Sequence, residues 1–263
     1  MLVLHDLLAI ASGSLVGFTL GLVGGGGSIL AVPLLVYVVG VSSPHIAIGT
    51  SAIAVALSAA ANLAGHARAR TVKWPCAIVF ALAGVAGAAG GAQLGKMVDG
   101  GRLLTLFGVL MVVVGIVMLR PRKSSGNPDV ELNRKTMPRL LPLLIGVGFI
   151  VGALSGFFGI GRGFLIVPGL MGATSMPLIS AIGSSLVSVT AFGLTTAASY
   201  AWSGLVDWEL AGLFVIGGAL GGLLGTRLAH HLTGYKHALS LTFASIVIAV
   251  GLYVVTKTLK LLY

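Results

Sequence analysis

Charge is what this chain has least of. Its 263 residues include six Asp and Glu and sixteen Lys and Arg, so 8% are charged while 57% are hydrophobic. Soluble domains carry about 25% charged residues, and a water-facing surface cannot be built from so few. Cysteine is nearly absent too: Cys76 stands alone, which excludes an intramolecular disulfide and a thiolate metal cluster. No Gly-Lys-Ser or Gly-Lys-Thr phosphate loop occurs, so nothing points to nucleotide hydrolysis. The acidic residues fall in expected loops or near the ends, and no Ser-His-Asp arrangement recurs, so a membrane-embedded enzyme is disfavoured and no catalytic residue or cofactor is expected. His45, His230, His231 and His237 have no Asp, Glu or Cys at ligand spacing, and no metal site is assigned.

What the chain has instead is apolar length. Runs such as Ile78 to Leu94 and Leu103 to Leu119 approach the roughly 20 residues that span a bilayer core. The fold class expected is therefore an all-α polytopic membrane protein. Met1 to Asp6 lacks a basic n-region, so the first segment is expected to stay rather than be cleaved. The net charge of +10 sits mostly in short stretches between apolar segments, where it orients the protein in the membrane rather than binding nucleic acid.

The chain also resembles itself. A shift of 135 residues pairs Gly17 with Gly152, Gly21 with Gly156, Gly24 with Gly159, Gly26 with Gly161 and Pro33 with Pro168. After a one-residue deletion the shift becomes 134, and Ile48-Gly49-Thr50-Ser51 falls on Ile182-Gly183-Ser184-Ser185 while Val72-Lys73-Trp74 falls on Val206-Asp207-Trp208. Matched glycines alone are weak in so glycine-rich a chain; a matched proline, a matched tryptophan and one consistent shift are not composition effects. The expected organisation is two homologous halves, residues 1–119 and 140–263, joined by a linker over 120–139. That linker holds Arg120, Arg122, Lys123, Arg134, Lys135 and Arg139 against Asp129 and Glu131, the signature of a cytoplasmic loop.

Each half has a glycine-broken first region and then three cleaner spans, near 45–65, 74–95 and 102–119, and near 178–200, 208–229 and 238–257. Residues 7–40 are too long for one straight helix and short for two full ones, so they form either one kinked helix or a hairpin. In the first half the basic loop holds Arg68, Arg70 and Lys73; its counterpart in the second holds Asp207 and Glu209, and Arg227 and Lys236 flank the next loop. A switched loop charge is what inverted halves with an odd number of crossings would show. Lys96 and Arg102 run against this, and four crossings per half in parallel orientation is the simpler alternative.

The breaks themselves read Gly24-Gly25-Gly26-Gly27-Ser28 and Gly159-Ile160-Gly161-Arg162-Gly163. Consecutive glycines unwind a helix, and unwound backbone survives at membrane depth only when buried in protein or lining a wet cavity. Matched breaks are the sequence signature of a transport site. Helices resuming at Ser28 and Gly163 would aim their N-terminal amides at an anion; the plainer reading is close helix packing. Arg162 has no acidic residue within the spans to neutralise it, so an oxyanion gripped by its guanidinium is one reading and snorkelling to headgroups the other. Thr50, Ser51, Ser184 and Ser185 occupy matched positions and either complete an oxyanion shell or bond their own helices. Asn62, His66 and Tyr200 lie late in the second spans, where His66 either relays protons or belongs to the basic loop.

At these residues the chain resembles the TauE/SafE sulfite exporter family of bacterial membrane transporters. The resemblance is carried by GLVGGGGSILAVPLL and SGFFGIGRGFLIVPGL, by the Ile-Gly-Thr-Ser and Ile-Gly-Ser-Ser that follow, and by Val-Lys-Trp and Val-Asp-Trp opening the third spans, so it covers nearly the whole chain. It implies export of sulfite or a related sulfur-containing anion across the inner membrane without ATP hydrolysis. The family pattern usually has glycine where Arg162 stands, a departure that favours anion binding here. The expected function is a secondary transporter whose partners are a small anion such as sulfite, thiosulfate or a sulfonate, and the lipid bilayer. An anion channel of the same fold and a carrier of an organosulfonate or other organic anion stay open as alternatives, as does a homo-oligomer.

Overall fold

The computed structural model describes residues 2–23, 25–119, 132, 136–159, 163–231 and 236–262. Every regular element among them is helical. The first helix, α1 (Leu2–Val23), is followed by a short return segment made of a 3-10 stretch (Gly25–Leu30), one α-turn, α2 (Ala31–Leu34), and a π-helical turn (Leu35–Val39). Then come α3 (Pro44–Arg68), α4 (Trp74–Met97) and α5 (Gly100–Leu119). The remainder forms α6 (Met137–Phe158), the short α7 (Gly163–Thr174), α8 (Leu178–Trp202), α9 (Trp208–His231) and α10 (Lys236–Leu262). Seven of these, α3, α4, α5, α6, α8, α9 and α10, are long and apolar enough to cross a membrane. The return segment and α7 are apolar but shorter; α7, with 12 residues, rises only about 18 Å against a hydrocarbon core of about 30 Å. Large apolar side chains such as Leu82, Phe149, Ile150 and Leu224 face outward, as a lipid-facing surface requires.

Small residues set how the helices pair. Along α1 and α9, Gly13 lies on the carbonyl of Phe214, Gly17 on that of Gly218, and Gly225 on that of Phe18. Along α6 and α4, Gly148 lies on Phe80, Gly152 on Gly84 and Gly91 on Ala153. Where a Cβ would stand, a glycine hydrogen meets a carbonyl oxygen, so the backbones close to the distance at which weak Cα–H···O contacts of about 0.5–1 kcal/mol and dispersion hold apolar helices together. Residue numbers rise together along both seams, so each pair is parallel. In the other two seams they run oppositely. Gly49 meets Leu205 and Tyr200 while Gly183 meets Thr71, making α3 and α8 antiparallel; Gly108 meets Gly251 and Val254 while Gly115 meets Ala244 and Ile248, making α5 and α10 antiparallel.

These directions fix which residues share a side. The connections 69–73, 98–99 and 203–207 each reverse the chain, so α1, α3 and α9 run one way and the return segment between α1 and α3 runs back. It ends where Tyr37 Oη meets Thr258 Oγ1 at 3.2 Å and the Tyr37 and Tyr253 rings pack edge to face. One side of the bundle therefore carries Arg68, Arg70, Lys73, Arg227 and the ends of α5 and α6 that the linker joins. The other carries Lys96, Asp99, Arg102, Asp207, Glu209 and Lys257.

Candidate functional site

The second break begins at the end of α6. Gly159 takes a left-handed conformation (φ 63°), with its N–H donating to Gly156 O at 3.2 Å. A side chain there would also collide with Ile48 of α3, so glycine is required by both conformation and space. Helix resumes at Gly163, as its sequence predicts. The first break differs in detail: Gly25, Gly26 and Gly27 open a 3-10 turn that includes the buried Ser28, and regular α-helix resumes only at Ala31. This turn packs against α7 and α8, so the segment after one break lies beside the segment after the other. Gly24, Gly161 and Arg162 lie outside the described residues.

The four matched hydroxyls are fully buried, and they divide into two kinds. Ser51 Oγ donates to Ile48 O at 3.0 Å and Ser185 Oγ to Ile182 O at 2.8 Å, each within its own helix. Thr50 Oγ1 accepts from the N–H of Asp207 at 3.1 Å, and Ser184 Oγ accepts from the N–H of Lys73 at 2.9 Å. Each of the latter bonds ties one half of the chain to the turn that opens a helix of the other, and each keeps its hydroxyl hydrogen for a further acceptor. The two pairs do not converge. Between Thr50 and Arg68, α3 rises about 27 Å, and Ser184 sits at the Arg68 end while Thr50 sits at the other. No single small ion touches both pairs. Gly159, through Ile48, joins the Thr50 and Ser51 end.

The reciprocal bonds predict equal losses. Thr50→Val and Ser184→Ala each leave a backbone N–H without its acceptor, so each should lower stability by about 1–3 kcal/mol. Ser51→Ala and Ser185→Ala, which lose only a bond within one helix, should lower it less. Thermal unfolding of the four purified variants measures the contrast.

Beside the Thr50 end lies a cleft that the sequence did not disclose. It has a volume of about 470 Å³ between the last turns of α4 and α8, and its lining includes Gln93, Lys96, Ser199, Trp202 and Ser203. Lys96 Nζ donates to Ser199 O at 3.1 Å and Ser203 Oγ at 2.9 Å and stands 5.9 Å from the centre of the Tyr200 ring. It meets no carboxylate among the described residues. In the sequence Lys96 only counts against the switched loop charge, and the packing of α4 on α8 brings it to these hydroxyls. His66 Nδ1 lies 2.9 Å from Thr71 Oγ1, within the basic turn. Among the described residues, no three His, Cys, Asp or Glu stand together as metal ligands would.

A bundle of apolar helices with glycine-lined seams, two short broken segments beside each other and seven helices long enough to cross a membrane is the architecture of a multi-pass membrane protein. Residues 9–254 match the family described as "Sulfite exporter TauE/SafE", and the chain belongs to that family. A "Probable membrane transporter protein" of Xylella fastidiosa strain Temecula1 is 54% identical over 252 residues, covering 96% of this chain and 95% of that protein. The Bacillus subtilis proteins YunE and YjnA, each also described as a probable membrane transporter, are 27% identical (87% of both chains) and 29% identical (92% of this chain and 97% of YjnA). No solved structure matches the chain.

Proposed function

We propose that the protein is a secondary transporter of sulfite or a related small sulfur-containing anion across the inner membrane, working by alternating access between two inverted halves, residues 1–119 and 140–263. The observation that carries the reading is reciprocity: Thr50 bonds Asp207 and Ser184 bonds Lys73, and at the shift of 134 Thr50 is the counterpart of Ser184 and Lys73 that of Asp207. The seams support it, because Gly17 on Gly218 is the counterpart of Gly152 on Gly84, and the counterpart helices α3 and α8 are antiparallel, as are α5 and α10. Two inverted halves can exchange conformations, and that exchange opens a site to alternate sides.

The basic side with Arg68, Arg70, Lys73 and the linker is the cytoplasmic one. Each end of the bundle then holds one break and one hydroxyl pair. Gly159 and Gly163 belong with Thr50 and Ser51 on the extracytoplasmic side; Gly25 to Gly27 and Ser28 belong with Ser184 and Ser185 on the cytoplasmic side. Helix N-termini and hydroxyl donors at each end suit an anion, and the substrate's sulfur chemistry rests on the family. Purified protein in liposomes should show saturable flux with counterflow for at least one of sulfite, thiosulfate, sulfate and an organosulfonate. Silence with all four overturns the proposal, and flux without saturation or counterflow indicates a channel.

A further inference from the structure

Most membrane-embedded hydroxyls in this bundle bond a carbonyl one turn back: Ser58 bonds Ala54 O at 2.9 Å, Thr190 bonds Leu186 O at 2.8 Å and Thr195 bonds Ala191 O at 2.8 Å. Ser188, Thr196 and Tyr200 depart from this. All three are 0% exposed, and their hydroxyls have no hydrogen-bond partner among the described residues. Their spacing of eight and then four residues places them on one face of α8. Buried hydroxyls in an apolar bundle are normally paired, so three left unpaired in one row mark a place for a partner that comes and goes. Phe192, between Ser188 and Thr196 on the same face, stacks on Phe80 of α4 with centroids 6.4 Å apart and separates the inner hydroxyl from the outer ones.

The outer end of the row lies beneath the cleft already described, behind Lys96. Tyr200 lies beneath Lys96, Ser199 has a buried unpaired hydroxyl and lines the cleft, and Tyr200 packs against Gly49, next to Thr50. Two of the three Lys96 donors are engaged, which leaves one directed hydrogen and the full positive charge for an arriving anion. We propose that the α8 face of Ser188, Thr196 and Tyr200 lines the route of the transported anion, and that the Lys96 cleft is its extracytoplasmic mouth. The proposal rests on the transport reading above and adds the path: Lys96 attracts the oxyanion, Tyr200 and Thr196 donate their hydroxyl hydrogens to it in turn, and movement of Phe192 off Phe80 admits it to Ser188.

The test uses the sign of the stability effect. Removing an unpaired buried hydroxyl leaves nothing unsatisfied, so Ser188→Ala, Thr196→Val and Tyr200→Phe should unfold at or above the wild-type temperature, while anion flux in liposomes falls at least fivefold and Thr196→Ser restores it. Lys96→Gln should raise the half-saturating anion concentration on the outer side. Cysteines introduced at Thr196 and Ser199 in a Cys76→Ala background should react with an anionic, membrane-impermeant thiol reagent, and one at the exposed Leu194 should not. Wild-type flux in the three variants, or flux lost only in step with thermal stability, overturns the route. Absence of labelling at both positions overturns it as well. A wild-type protein that moves none of the tested anions sinks the transport reading alone, since labelling at Thr196 and Ser199 still supports a wet, anion-accepting path.

Discussion

Arg162→Ala is expected to abolish anion flux in liposomes while the yield of folded protein stays at the wild-type level. The expectation rests on charge balance. Four of the six acidic residues fall between helices, and Asp6 and Glu209 fall in the opening turns of α1 and α9; on the transport proposal the oxyanion is the partner of Arg162, and an unpaired charge held in a membrane costs at least about 2.5 kcal/mol. An oxyanion removes that cost only when bound. Truncating one partner of a buried charge pair typically loses about 2–5 kcal/mol, or roughly 30-fold to several thousand-fold in affinity. Arg162→Lys should fall between, because an ammonium keeps the charge but lacks the planar fork that matches two oxygens. Full flux in Arg162→Ala would remove Arg162 from the site, with the glycine breaks remaining as candidates.

The second large effect is on the seams. In an exposed helix, glycine to alanine is worth up to about 1 kcal/mol of stabilisation, and Gly90 and Gly146, which face open space, should show that sign. At Gly17 and Gly152 the sign should reverse. A methyl there runs into the carbonyl oxygen of Gly218 or Gly84, a backbone atom with no rotamer to yield, so Gly17→Ala and Gly152→Ala should each cost about 1–3 kcal/mol or more. Gly17→Leu and Gly152→Leu should leave no monodisperse protein in detergent. Thermal unfolding and size-exclusion profiles of the six variants decide the matter. Equal behaviour at Gly90 and Gly152 would show that the seams do not carry the fold.

Much of the architecture is readable in one dimension because its signals are local. A dearth of charge and long apolar runs fix the membrane class, and the observed helix limits lie within a few residues of the expected spans, with α3 at Pro44–Arg68 and α9 at Trp208–His231. Glycine runs unwind helices wherever they stand, which is why Gly24 to Gly27 and Gly159 to Gly163 mark the breaks. Hydroxyl roles were less accessible. Thr50 and Ser51 are neighbours of the same chemical kind, yet one serves the opposite half and the other its own helix, and the difference lies in which way each points from α3.

The sequence by itself determined that this protein is helical and membrane-spanning, where its helices break, that segments 134 or 135 residues apart share motifs, and to which family it belongs. Only the tertiary structure decided that α3 and α8 run oppositely, that Thr50 and Ser184 stand at opposite ends rather than in one shell, and that Lys96 closes over Tyr200. The physical reason is the solvent. In water an amphipathic stripe tells which face of a helix is buried, but lipid is as apolar as a protein core, so a membrane helix carries little record of its inward face until its neighbours are in place.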